Sequence, residues 1–304
     1  MASGSTLQVD EVLAAVPEAA QYADLLATPF SATSSTAVTY ADWRALARLI
    51  GGFEAQHGEV DGFVVLHGTG ALEETAYFLH LCAKTSKPVV LTGSQRPLSA
   101  ISSDAPLNLV NALRVAGSPQ SRGLGVLVCL NDEIHAARDV TKAATSRLHA
   151  FRSSDFGILG EVDADGVHLY RRHVRKGCPD TEFDVARLEL LHRVDIAYLY
   201  AGDDGAAVRA FAAAGAREIV VAGFPGGRLS PALKQACVQA LSHGIAIVVA
   251  TRAGSGRAHL ARDLQDCGMV GADNLTVQKA RILLALALTV SREQSAIKQM
   301  FGTY

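Results

Sequence analysis

Two reactive groups in this chain have informative surroundings, a threonine hydroxyl and a lysine amine. Thr69 stands in the stretch Gly62-Phe63-Val64-Val65-Leu66-His67-Gly68-Thr69-Gly70-Ala71-Leu72-Glu73-Glu74-Thr75. Phe63 to Leu66 is a continuous apolar run, the pattern of a parallel strand buried on both faces. Gly68 and Gly70 permit a tight turn with the backbone open to a ligand. From Leu72 the period becomes helical, with Leu72, Ala76, Leu79 and Ala83 on one face and Glu73 and Glu74 at the positive end of the helix dipole. Thr69 is thereby presented at the carboxyl end of a strand, where open α/β sheets bind ligands. It either caps the helix or acts as a nucleophile. The second group, Lys142, lies in Asp139-Val140-Thr141-Lys142-Ala143-Ala144-Thr145, after a strand ending at Leu130-Asn131-Asp132. A lone lysine is ordinarily a solvated charge. A desolvated amine beside a threonine hydroxyl has a lowered pKa and can act as its base.

Other chemistries leave no trace. The chain has no Walker A motif, no G-x-G-x-x-G after a strand, no H-E-x-x-H and no G-x-S-x-G. Its ten histidines show no paired ligand spacing, so neither a metal nor a cofactor is expected. A net charge of −2 gives no reason to expect nucleic acid or an anionic membrane as partner. Five widely spaced cysteines without a C-x-x-C pair read as buried free thiols. Met1 to Ser5 lacks the basic and apolar regions of a signal peptide, and the longest apolar run, Ile282 to Val290, is too short to span a bilayer. A cytoplasmic location is the expectation.

The elements that must position Thr69 and Lys142 alternate. Val9 to Ala23 is patterned as an amphipathic helix, and Ser31 to Thr39 as a polar loop. Thr39 with Asp42 forms a capping box before the helix of Trp43 to Ile50. Val89 to Thr92 and Gly125 to Leu130 are buried strands separated by a helix over Pro106 to Ala116, and Gly160 to Tyr170 is a hairpin around Asp165-Gly166. After a polar run from Arg171 to Asp184, a second series follows. Its strands are Val194 to Tyr200, Glu218 to Phe224 and Ile245 to Ala250; its helices begin near Ala206 and Ser230, and the last spans Val277 to Val290. The pattern predicts an α/β fold of two lobes with mostly parallel sheets, the N-terminal lobe larger: residues 1–175, a linker over 176–193, and 194–304.

His67-Gly68-Thr69 followed by Leu72-Glu73-Glu74-Thr75-Ala76 closely resembles the H-G-T-D-T-[LM]-E-E-T-A signature of the bacterial L-asparaginase/glutaminase family, with Gly70 standing where the family has aspartate. Asn131, Asp132, Arg138, Val140, Lys142 and Thr145 fall on a second pattern, N-D-x-[IV]-x-x-[AG]-R-x-V-x-K-x-x-T. Gly93 to Pro97, Ser103 to Leu109, Gly268 to Val270 and Gln278 to Arg281 match further segments. The resemblance implies hydrolysis of the side-chain amide of L-asparagine, or of a related small amide, to acid and ammonia. Thr69 and Lys142 would be the catalytic pair. Ser35, Gly68 and Gly70 would lie at the substrate, as would Asp104, which serves equally well as a cap ahead of Pro106. The family's aspartate grips the substrate's α-ammonium, so Gly70 predicts weak binding of α-amino acids. The family also begins with a central strand ending in T-G-G-T-I-A, whose second threonine is the primary nucleophile. This motif and the tyrosine that follows it are not found here, nor is an asparagine that many members place at the turn occupied by Gly223 to Arg228. Two expectations follow: that the true chain starts upstream of Met1, and that without the central strand two neighbours are left with unpaired backbone groups. A homo-oligomer, dimer or tetramer, is implied, since the family's sites are shared between subunits. The alternative reading is a catalytically impaired or inactive homologue acting as a binding or assembly partner.

Overall fold

The computed structural model describes residues 7–185, 188 and 191–304. The Met1 to Ser5 stretch and part of the expected linker lie outside the described residues. The chain forms two compact units, Met1–Val185 and Ala186–Tyr304.

The first unit opens with α1 (Val9–Ala15) and a 3-10 turn, Pro17–Gln21, instead of one helix to Ala23. Pro17 has no N–H to continue the α ladder. The short elements are nonetheless anchored, because Val16 and Ala19 bury against Leu109, Val110 and Leu113. Helix α2 (Tyr40–Gln56) begins with the expected capping box, in which the Thr39 N–H and the Asp42 carboxylate lie 2.7 Å apart. Then come β1 (Phe63–Leu66), α3 (Leu72–Cys82), β2 (Val89–Thr92), α4 (Ala105–Gly117), β3 (Val126–Leu130), β4 (Glu133–Ala136), β5 (Thr141–Lys142), β6 (Phe151–Arg152), β7 (Gly160–Asp163) and β8 (Gly166–Leu169). Six of these strands form one sheet in the order β1-β2-β3-β4-β7-β8. It is parallel from β1 to β3 and antiparallel from β3 onward. Asn131 and Asp132, both at positive φ, make the tight turn joining β3 to β4.

Two local expectations change. Strand β1 is half-buried rather than buried on both faces, because it lies at the sheet's edge. Among the described residues β1 pairs only with β2, and β2 pairs directly with β3. Among the described residues β1 therefore lacks a strand partner on its outer side, while β2 is paired on both sides. Helix α3 is buried all round rather than on one face: Tyr77, Phe78 and His80 are as inaccessible as Leu72 and Leu79. One side meets the sheet and another meets α2, where Trp43 stacks on Phe78 with centroids 5.3 Å apart.

The second unit is an all-parallel four-stranded sheet. In chain order it comprises β9 (Val194–Tyr198), α5 (Ala206–Ala213), β10 (Glu218–Gly223), α6 (Pro231–Ser242), β11 (Ala246–Thr251), α7 (Arg262–Asp266), β12 (Val270–Gly271), α8 (Val277–Val290) and α9 (Gln294–Thr303). The final helix α9 was not expected, since Val277 to Val290 read as the last. Four of the five free cysteines are buried and Cys267 is exposed. No described helix is long and apolar enough to cross a membrane.

Candidate active site

The parallel half of the first sheet ends in three loops that converge. The His67 N–H donates to the Thr92 carbonyl at 2.9 Å, extending the β1–β2 pairing to the brink of the turn. Gly93 follows, and a Cβ there would come within 2.3 Å of the His67 carbonyl oxygen and 3.4 Å of the Thr69 methyl. Only glycine allows the two strand ends so close. Asn108 on α4 is buried and braces the loops: its amide donates to the Gly93 carbonyl at 2.9 Å and its oxygen accepts the Asn131 N–H at 2.9 Å. Thr69 therefore sits on a well-supported rim at the carboxyl ends of β1, β2 and β3.

Lys142 reaches the same rim from β5. Its Nζ donates to Thr69 Oγ1 at 2.6 Å across a sequence separation of 73 residues. The β5–β6 ladder pairs Lys142 with Phe151, whose ring centre lies 5.8 Å from Nζ. The ring flanks one side of the amine. Burial pushes the Lys142 pKa below its usual value, while the negative charge of Glu73 in the first turn of α3 acts in the opposite sense. A lowered pKa and a hydroxyl in direct contact are what a lysine base for a threonine nucleophile requires.

Ser35 lies against the same turn. Its Oγ accepts the Gly70 N–H at 3.2 Å. A Cβ at Gly70 would stand 2.9 Å from that oxygen, and one at Gly68 2.7 Å from it. The serine hydroxyl therefore occupies space that larger residues at 68 or 70 would claim, and among the described residues no acceptor takes its proton. Gly68 and Gly70 both expose their backbone.

Asp104 is placed differently. Its carboxylate accepts the N–H groups of Gln95 and Arg96, each at 2.9 Å, and the Asn108 amide at 3.1 Å. It makes no capping bond within α4. These bonds tie the β2–α4 loop together. The geometry thus unites Thr69 with Lys142 and Ser35 with Gly70, while Asp104 is engaged in its own loop. Phe151 and Gly93 were not anticipated as site residues. A glycine directly after a buried strand was the available signal for Gly93; nothing local marks Phe151, whose role follows from cross-strand pairing.

Residues 1–175 match the family model described as asparaginase, N-terminal, and residues 193–301 match that of the glutaminase/asparaginase C-terminal domain. The chain belongs to the asparaginase family. It is 40% identical over 296 residues to L-asparaginase 2 of Bacillus subtilis (strain 168), covering 97% of this chain and 78% of that relative. A probable periplasmic L-asparaginase of Haemophilus influenzae is 37% identical over 300 residues, covering 98% and 85%. The crystal structure of a probable cytoplasmic L-asparaginase from Campylobacter jejuni superposes with a TM-score of 0.94 at 36% identity, covering 97% of this chain and 91% of that one. Asparaginase-family membership accounts for the two α/β units and for an amidohydrolase assignment.

Proposed function

We propose that this asparaginase-family protein hydrolyses a small carboxamide to acid and ammonia with Thr69 as nucleophile and Lys142 as base. The observation that carries the reading is the 2.6 Å contact between the Lys142 amine and the Thr69 hydroxyl. The neutral amine takes the hydroxyl proton as Oγ1 attacks the amide carbon. The C–N bond then breaks, and Lys142 returns the proton to the departing ammonia. Water, deprotonated by the same amine, cleaves the ester and restores Thr69. Ser35 donates its free hydroxyl proton to a substrate oxygen. Asp104 acts indirectly, by holding the β2–α4 loop.

The substrate class follows from charge. A substrate ammonium requires a counter-ion, yet residue 70 is glycine and the Asp104 carboxylate already accepts three donors. Losing one partner of a buried charge pair costs on the order of 2–5 kcal/mol. We infer that amides without a free α-ammonium, such as succinamate, are preferred and that L-asparagine is turned over poorly. The test is ammonia release from both compounds by the purified protein, with Thr69→Ala as control. Succinamate turnover that Thr69→Ala abolishes supports the reading. L-Asparagine turnover exceeding that of succinamate overturns the substrate class, and turnover that survives Thr69→Ala overturns the nucleophile.

A second reading, an inactive homologue that binds a ligand or an active relative, is favoured by Gly70 and by the outer edge of β1, which has no strand partner among the described residues. Absence of ammonia release with binding retained would select it. We further propose a homo-oligomer, dimer or tetramer, to be checked by light scattering. A cytoplasmic location is supported by the four buried free thiols and by the cytoplasmic description of the Campylobacter protein; the Haemophilus relative's description points the other way.

A further inference from the structure

Three buried or half-buried groups behind the turn play no part in the chemistry above. The Trp43 indole Nε1 donates to Thr75 Oγ1 at 2.7 Å. Thr75 Oγ1 lies 3.0 Å from His67 Nε2. The other ring nitrogen, Nδ1, lies 2.7 Å from the Gly68 carbonyl oxygen. We propose that Trp43, Thr75 and His67 form a one-directional hydrogen-bond chain that sets the Gly68–Thr69 peptide and thereby positions the Thr69 hydroxyl. The proposal deepens the functional reading above and rests on Thr69 being the reactive group.

The sense of the chain follows from its two ends. An indole N–H only donates and a peptide carbonyl only accepts. The Gly68 carbonyl therefore requires the ring proton on Nδ1, which leaves Nε2 of a neutral imidazole as an acceptor. Thr75 must then receive the Trp43 proton and direct its own proton to Nε2. Every member is satisfied in this one arrangement. Burial pushes the His67 pKa down and so favours the neutral ring that the scheme needs.

The position of the chain explains its use. Backbone on either side of the peptide is already held: His67 N–H by the Thr92 carbonyl at 2.9 Å and Gly70 N–H by Ser35 at 3.2 Å. Between them lies the Gly68–Thr69 peptide, flanked by glycine and able to rotate. The imidazole clamps the carbonyl of that peptide, and the amide nitrogen of the same plane is Thr69's own. Thr75 is fully buried on α3 and Trp43 nearly so on α2, so the clamp is anchored in the packed interior. His67, Thr75 and Trp43 are positioning residues in this scheme; none touches the reacting atoms.

The experiment uses the full chain labelled with nitrogen-15. Long-range proton–nitrogen spectra assign the His67 tautomer in the unmodified protein, and Trp43, the one tryptophan in the sequence, yields a single indole N–H signal. An Nδ1–H tautomer is expected; an Nε2–H tautomer overturns the proposal without any variant. Thr75→Val removes the hydroxyl at nearly constant volume. It is expected to shift the indole signal and the His67 Nε2 signal and to lower kcat about 10- to 100-fold at little changed KM, the scale of a small misplacement of a reacting group. Thr75→Ser is expected to restore all three. A Thr75→Val protein with unchanged indole and Nε2 signals and kcat within twofold of the parent overturns the chain. If the unmodified protein releases no ammonia, the functional reading fails instead, and the positioning claim falls with it. The tautomer assignment still judges the bonds separately.

Discussion

Lys142 and Glu218 are both ionisable groups withdrawn from water, one in each unit, and their surroundings differ. Lys142 stands at the carboxyl end of a parallel sheet region, with the Thr69 hydroxyl 2.6 Å from its nitrogen. Burial lowers its pKa and favours the uncharged form, which is the form the proposed base role beside Thr69 needs. Glu218 opens β10 at the opposite, amino end of a parallel sheet and is 1% exposed. Its Oε2 has no hydrogen-bond partner among the described residues. Burial raises its pKa to about 7, against the opposing pull of Arg292 and Arg217. The same desolvation thus favours the neutral form of both groups, which suits the role proposed for Lys142 and burdens Glu218. What separates the two is which end of a parallel sheet the group faces and whether a hydroxyl lies in contact with it.

The contrast can be broken most severely at Thr69. Thr69→Ala is expected to lower amide hydrolysis by on the order of 10⁴–10⁶ in kcat, measured as ammonia release, with little change in melting temperature. Lys142→Met is expected to cost somewhat less, on the order of 10²–10⁴, the scale of a lost general base. The unmodified enzyme should gain rate as pH rises through the Lys142 pKa, because the uncharged amine is the active form. The midpoint should lie below the 10.5 of a free lysine. Lys142→Arg, permanently charged, should lose that rising limb altogether. A limb that persists in the arginine variant would assign the base elsewhere.

Gly70→Asp probes the electrostatics of the same rim. A Cβ there meets Ser35 Oγ at 2.9 Å, but the obstacle is the end of a short side chain that can rotate. Selectivity, read as the ratio of kcat/KM for L-asparagine to that for succinamate, is expected to rise by about 30-fold or more, consistent with regaining a buried charge pair. An unchanged ratio would show that residue 70 does not govern substrate charge.

Glu218→Gln sharpens the other side of the comparison through stability. The folded protein holds its proton to about pH 7, whereas an unfolded glutamate releases it near 4.5. Between those values the native state binds more protons, so stability falls as pH rises, and the full penalty applies above pH 7. The glutamine variant should be more stable than the parent by on the order of 1–2 kcal/mol at pH 8 and equal to it below pH 4.5, as urea denaturation would measure. Equal stabilities at pH 8 would mean that Glu218 is better solvated than its surroundings imply. The smallest effect is expected where a charge pair lies in water. Arg122 and Asp61 meet at 2.9 Å with both side chains largely exposed. Arg122→Ala should alter stability by less than about 0.5 kcal/mol.

Much of the architecture around the site was legible because its signals are local. A run of β-branched and aliphatic residues, two glycines and an acidic first turn specify the strand, turn and helix around Thr69 over a dozen residues. Thr39 with Asp42 is likewise a short-range device whose geometry is written in neighbouring side chains. The misreadings arose where burial depends on remote partners. The apolar run of β1 implied neighbours on both sides, yet an edge strand carries the same residues. The pattern of α3 showed one apolar face, yet tyrosine, phenylalanine and histidine on its other sides are buried too. Composition cannot say how many elements will pack against a helix.

The sequence by itself determined the alternating elements, the family and the choice of Thr69 and Lys142 as the proposed reactive pair, because these rest on spacing within segments and on motifs that survive as contiguous strings. Tertiary structure alone decided the length of the Lys142–Thr69 contact that the family resemblance implies, that Ser35 fills the space beside Gly70, that Asp104 is engaged within its own loop, and that Trp43, Thr75 and His67 align behind the turn. Most of these contacts join residues distant in the chain, and the rest turn on side-chain direction. Their lengths and hydrogen-bond sense are set by how strands pair and helices pack, which no local pattern encodes.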